Sequence, residues 1–494
     1  MSPRDLIHDP CWQGNDLGHP LPDATHAVSV ALPRWSDVIA YEENDPACRS
    51  KLQAVYPRFG FHPLVQELAL QALAESQRAS STDFSSWPYS SRAAAKAAQT
   101  HCQRRVPAGF STIQTVRGVA CLLTDPTHAV AAKSFWQHTG LGASSRLAAI
   151  ALGQEDAPDP AAATAARSKV IQRLAEIYSC PKSAISLHPS GMAALHKALH
   201  LVSDLRPDRP VLQIGFPYVD VLKLPEVVFG GAELLLDDAA DQVSAALDRL
   251  QPAAVVVELP SNPLLRCVNL PEIAALAHVR GIPVIADDTI GSGLNINALP
   301  HADLVFSSLT KSFAGRGDVL AGGLVINPSS PWSGTWAHGT TSRQAVADLA
   351  GADAIALEQG SRDVSIRVSR LNTNTQLLAS RLRQHSAVAQ VFHPGSCERF
   401  AMLRRAGGGH GCLLSFELKG GLSKAARVYD ALEVCKGPSL GTAFTLACPY
   451  VLLAHYSELP WAKSCGIPAH LLRVSVGLED HEGLWGRFER ALSA

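Results

Sequence analysis

The sequence has eleven cysteines but no C-x-x-C pair. Scattered thiols without paired spacing argue against a disulfide framework and for a reduced, intracellular chain, with each thiol a small core residue. No stretch approaches the roughly 20 apolar residues of a membrane span, so no membrane partner is expected. The opening residues, Met1-Ser2-Pro3-Arg4-Asp5-Leu6, lack the apolar run of a secretory signal and carry an acid early. Cytoplasm is the expected compartment. The formal net charge is -1. With no basic surplus and no block of like charge, nucleic acid is not an expected partner. No repeat of fixed period is present, and no metal is expected.

What remains is a chain of 494 residues, 47% apolar and 18% charged. Those are globular values, and the length suits two or three folded units. Residues 1–130 read as a packed accessory region without visible chemistry. A proline-stopped strand is expected over His26–Pro33, a helix over Leu64–Ala74, a Ser-rich loop with Pro88 over Ser80–Ser91, a helix over Ala93–Ala98 and a strand over Val119–Leu123. Residues 131–165 read as an arm and a linker. There a helix-like segment leads into Gly140-Leu141-Gly142-Ala143-Ser144-Ser145-Arg146, a loop suited to an anion or simply a polar connection. Residues 151–165 read as the linker.

From about 166 to 330 strands and helices alternate, within a catalytic domain expected over 166–370. That pattern argues for a mostly parallel sheet covered on both faces. Residues 344–384 read as helix-rich, bridging to a smaller α+β unit over 371–494. Several polar windows fall at the ends of the expected strands, where ligands bind in α/β folds. Lys311 follows the strand 303–306 and is flanked by Ser308 and Thr310. A partly desolvated lysine there can attack a carbonyl, although a solvated loop lysine fits the same window. Asp287 ends the strand 282–286 and can hold a protonated pyridine nitrogen, or act as a structural cap. Ser190-Gly191-Met192 opens a helix whose free N–H groups suit a phosphate, or Ser190 is only a cap. Tyr218 can stack on a planar ring or sit in the core. Asn262 can bond a ring hydroxyl or make a turn. Together they describe a pyridoxal 5′-phosphate site.

The windows Ser190-Gly191-Met192-Ala193, Glu258-Leu259-Pro260-Ser261-Asn262-Pro263, Asp287-Asp288-Thr289, Ser308-Leu309-Thr310-Lys311 and Leu472-Arg473-Val474-Ser475 resemble the Cys/Met-metabolism group of pyridoxal phosphate enzymes. The fungal-type cystathionine γ-synthases are the most similar branch. That likeness extends through Tyr56-Pro57-Arg58-Phe59, Phe135-Trp136-Gln137-His138-Thr139-Gly140 and Gly437-Pro438-Ser439-Leu440. It implies an α/β fold of type I, with a mostly parallel seven-stranded sheet between helices, a smaller α+β C-terminal domain and an N-terminal extension. It also implies a role for each matching residue. Lys311 would form the Schiff base and move protons. Asp287 would pair the ring nitrogen. Tyr218 would stack on the ring and assist catalysis. Asn262, Gly191, Met192, Ser308 and Thr310 would bind the cofactor. Arg146 would reach the phosphate of a neighbouring subunit's cofactor. Arg473 and Ser439 would hold the substrate carboxylate.

The chain departs from the family in three places. Ser144 stands where the family's loop has tyrosine, Asp288 where asparagine is common, and Arg316 where an aromatic is usual. Arg316 is therefore expected to bind substrate near Lys311, or to be a surface arginine. The implied reaction is γ-replacement on an O-acetyl- or O-succinyl-L-homoserine with L-cysteine, giving cystathionine, in a homodimer or homotetramer with shared sites. The alternatives are an amine or carbon nucleophile in a specialised pathway, a γ-lyase, and a non-catalytic regulatory relative.

Overall fold

The computed structural model describes residues 3–76, 84–339 and 348–494. The expected features at Met1-Ser2, at residues 80–83 and at residues 344–347 lie outside the described residues. Seven strands form the large sheet. Across it they run Ile185–His188, Gly322–Ile326, Leu304–Ser308, Val284–Asp287, Val255–Glu258, Val211–Ile214 and Ala232–Leu235. Only Gly322–Ile326 runs against its neighbours, and the other pairs are parallel. The side chains alternate between two buried layers. Val255, Val257, Val284 and Ala286 face a core built on the helices Pro160–Tyr178 and Leu270–His278. Val256, Ile285, Leu304 and Phe306 face a core built on the helix Gly191–Leu205. Strands buried on both faces read as continuous apolar runs, as Val255-Val256-Val257 does. The expected sheet class is what the chain builds.

The C-terminal sheet has five strands in the order Val388–Phe392, Leu413–Leu418, Leu472–Ser475, Leu446–Pro449 and Cys435–Lys436. A three-stranded antiparallel sheet, Ser85–Tyr89, Val119–Thr124 and Ser111–Val116, lies in the N-terminal region. Ser85–Tyr89 was expected as loop, yet it pairs with Val119–Thr124 along its length. It is an edge strand, where Pro88 costs no ladder hydrogen bond. Of the strand expected at His26–Pro33, only Ser29–Val30 is extended and paired, with Pro20–Leu21. The expected linker 151–165 ends early, because a helix starts at Pro160. Asp159 caps it by accepting from the amides of Ala161 and Ala162. Proline at the first helical position with aspartate before it is a helix start, which the Ala-Pro-Asp composition disguises. Among the described residues no helix is long and apolar enough to cross a membrane.

Candidate active site

The carboxyl ends of the strands Val255–Glu258, Val284–Asp287 and Leu304–Ser308 open into one cavity. Lys311, Asp287, Tyr218, Asn262, Gly191, Met192, Ser308, Thr310, Ser439 and Arg473 all line it. Lys311 is 7% exposed. Its Nζ donates to Tyr56 Oη at 2.9 Å and to Ser439 Oγ at 3.0 Å. Ser439 has φ +89, strained for a residue with a Cβ. Arg473 donates to the Ser439 carbonyl at 2.8 Å and lies 4.7 Å from the centre of the Tyr450 ring. A buried guanidinium held this way presents a planar fork to a carboxylate.

The same cavity is lined by buried acids. Asp287 Oδ1 accepts from the Thr289 amide at 2.9 Å. Burial pushes its pKa up to about 7, against the pull of Thr289, and no cation is among its main perturbers. Glu258 is raised well above the carboxylate range, by burial first and then by the charge of Asp287. Its Oε2 accepts from the amides of Tyr218 at 2.8 Å and Asn262 at 3.0 Å, so one carboxyl fixes both loops.

The cradle for an anion is the start of the helix Gly191–Leu205. Ser190 caps it, accepting from the Ala193 amide at 3.0 Å and donating to the Gly140 carbonyl at 2.8 Å. A Cβ on Gly191 would lie 2.7 Å from Ser308 Cβ, so glycine is what lets the helix end reach the strand end. Thr310 is turned inward, with Oγ1 accepting from the Ala321 amide at 3.0 Å. These features fit pyridoxal phosphate. Asp287 is a buried acid suited to a protonated ring nitrogen, the helix start offers free amides to a phosphate, and Lys311 brings an amine to the same cavity.

Two expected residues lie outside the cavity lining. Arg316 is exposed. The space inside its turn is taken by Arg367, whose guanidinium donates to the carbonyls of Ser312 and Phe313. A second cation is not accommodated beside that buried charge, so the chain by itself leaves Arg316 away from the substrate cavity. Arg146 belongs to the first turn of the helix Ser145–Leu152 rather than to a loop. It pairs with Asp318 at 3.2 Å and lies 3.6 Å from Asp353 of its own chain.

Other lining residues had no role assigned from sequence. Tyr56, Arg58, Trp136 and Gln137 come from the N-terminal region, and Glu258 and Asp220 from the sheet domain. The windows Tyr56–Phe59 and Phe135–Gly140 already carried a family likeness. That likeness was the signal available, since composition marks neither.

A family model described as Cys/Met metabolism PLP-dependent enzyme matches residues 162–493. A cystathionine gamma-synthase of Neurospora crassa is 31% identical, over 97% of this chain and 98% of its own. An L-2-amino-4-chloropent-4-enoate dechlorinase/desaturase of Streptantibioticus cattleyicolor is 34% identical, over 94% of this chain and 95% of its own. Among solved structures, a methionine gamma lyase from Micromonospora echinospora superposes with a TM-score of 0.57 at 29% identity, covering 66% of this chain and 86% of its own. The chain belongs to the Cys/Met metabolism family of pyridoxal phosphate-dependent enzymes, and is a cystathionine gamma-synthase-like member of it.

Proposed function

We propose that the protein carries out γ-replacement on an O-acylated L-homoserine, O-acetyl or O-succinyl, with L-cysteine to give cystathionine. The observation that carries this reading is the placement of Lys311 between Tyr56 and Ser439, with Asp287 and Arg473 lining the same cavity. When bound, pyridoxal phosphate supplies an electron sink conjugated to the substrate's Cα. Lys311 would hold the cofactor, and its Nζ would then take protons from Cα and Cβ as the γ-acyloxy group departs. Asp287 would hold the ring nitrogen protonated. Gly191, Met192, Ser308 and Thr310 would bind the phosphate, Asn262 the ring hydroxyl, and Tyr218 would stack on the ring. Arg473 with Ser439 would orient the substrate carboxylate, keeping the Cα–H bond in reach of Lys311.

The same proposal includes a cytoplasmic homodimer or homotetramer, in which Arg146 serves the neighbouring site, and the division at residues 130, 165 and 370. Analytical ultracentrifugation tests the oligomer. A second reading is removal of a γ-leaving group without cysteine, by elimination or with another nucleophile. The 34% identical dechlorinase/desaturase relative favours it. Incubation with O-acetyl-L-homoserine, with and without L-cysteine, followed by mass spectrometry separates the two. Cystathionine is the expected product. 2-Oxobutanoate formed equally fast in both mixtures supports the second reading and overturns the first.

A further inference from the structure

The reaction proposed above makes one amine take protons from two carbons, Cα and Cβ. A single Nζ lone pair accepts one proton at a time, so a neighbouring group that takes the first proton shortens the sequence. The structure puts a phenol in that place. Tyr56 Oη lies 2.9 Å from Lys311 Nζ, and the ammonium stands 4.8 Å from the centre of the Tyr56 ring. Tyr218 and Asp220 line the same cavity as Tyr56, and both act on the charge of its phenol. Asp220 is 2% exposed. Its Oδ1 sits 3.0 Å from His138 Nδ1 and 3.2 Å from Arg58 Nε. Arg58 is further fixed by the carbonyls of Leu453 and Ala454 at 3.0 and 3.1 Å. An arginine stays charged, so it holds Asp220 ionised, whereas an imidazole can both give and accept a proton.

We propose that Tyr56 is a further catalytic residue, exchanging a proton between its phenol oxygen and Lys311 Nζ, with Tyr218 and Asp220 linking it to His138. In that step an Nζ–H bond breaks and the Tyr56 O–H bond forms. Ammonium and phenolate become amine and phenol, with no change in total charge. The inference rests on the γ-replacement reading for its two protons, not for the contact itself. Tyr56, Arg58 and His138 all lie outside residues 162–493, the part matched by the family model. The N-terminal region therefore contributes chemistry to the site as well as packing.

The charged and titratable groups facing Tyr56 are Lys311, Tyr218 and Asp220, with Arg58 next to Asp220. Burial raises the Tyr56 pKa, and the charge and hydrogen bond of Lys311 more than reverse this, so it lies below the ordinary tyrosine value. The test uses the full-length chain in two forms. In the cofactor-stripped protein, alkaline titration of tyrosinate absorbance should show one early-ionising tyrosine. It should be absent in Tyr56→Phe and displaced upward in Lys311→Ala. In the loaded protein in D2O, NMR follows exchange at Cα and Cβ of L-2-aminobutyrate, which has no γ-leaving group. Tyr56→Phe should slow Cβ exchange about 10²-fold while largely sparing Cα. His138→Asn should shift the pH profile of Cβ exchange. Retention of the visible cofactor band in both variants checks the fold. An unchanged titration in Tyr56→Phe and in Lys311→Ala, or an unchanged Cβ exchange in Tyr56→Phe, overturns the proposal. Failure of O-acetyl-L-homoserine to react would defeat the substrate reading alone, because neither readout uses it.

Discussion

Asp287 carries a charge problem that only a ligand resolves. Its folded pKa of about 7 lies above the roughly 3.9 of an unfolded aspartate. Between those values the folded chain binds more protons than the unfolded one, so its stability falls as pH rises from about 4 to 7. Asp287→Asn removes that loss. The cofactor-stripped variant should be more stable than stripped wild type near neutral pH by roughly 1–3 kcal/mol, with the gap closing below about pH 4. Thermal melts across pH measure this. The loaded variant should show the opposite balance, turning over about 10²-fold or more slowly. Ser439 poses a similar trade. Ser439→Gly relieves the φ of +89 and should gain about 1 kcal/mol, but it leaves Lys311 Nζ without one of its two acceptors. A higher melting temperature with lower kcat is the expected pair. At this scale much of the cavity was legible. Lys311, Asp287 and Asn262 follow or end strand-like runs, and strand ends converge in a parallel sheet, whereas Arg473 lies inside a strand of the C-terminal sheet and only the family likeness marked it. Arg316 was misplaced because separation in sequence from Lys311 says nothing about Arg367, which fills the space inside the turn from a distant helix.

The elements matter through how closely their ends approach. The helix Gly191–Leu205 starts against Ser308, with room for no side chain at Gly191. Gly191→Ala puts a Cβ 2.7 Å from Ser308 Cβ and 2.9 Å from its Cα. The obstacle includes backbone, so the helix end must retreat. The variant should lose about 1–3 kcal/mol and release cofactor at least about tenfold faster than wild type, read by melting and by decay of the visible band after dilution. Sequence identified this helix start because Ser190 is a good cap before an apolar-periodic run. Two others were obscured by local composition. The Asp159-Pro160 start is followed by alanines that read as linker. The strand Ser85–Tyr89 contains a proline and four hydroxyl or amphipathic residues, and its pairing is decided by Val119–Thr124, more than thirty positions away.

Across the whole molecule, the first sixty residues are built into the C-terminal core. Val30, Leu32, Trp35, Val38 and Tyr41 share one apolar cluster with Phe416, Tyr429, Val474 and Phe488. The Leu32 amide donates to the Lys436 carbonyl at 2.8 Å, and Tyr429 Oη donates to the Leu32 carbonyl at 2.7 Å. Lys436, fully buried, donates to the carbonyls of Pro33 and Asp430, both at 2.9 Å. None of this was legible in the first sixty residues, because the short apolar runs over 27–41 pack against residues some 400 positions later. A chain starting at residue 61 tests the consequence. It would uncover the cluster, strand Lys436 beside carbonyls that have lost their cover, and remove Tyr56 and Arg58 from the cavity. Burial of Val30, Leu32 and Val38 alone is worth roughly 5–9 kcal/mol, comparable to the whole stability of a typical domain, about 5–15 kcal/mol. The truncated chain should therefore aggregate on expression, and any soluble fraction should be colourless after addition of pyridoxal phosphate. Light scattering and visible absorbance measure both. A soluble, cofactor-retaining truncation that melts like the full chain would mean that the first sixty residues are neither part of the core nor part of the site.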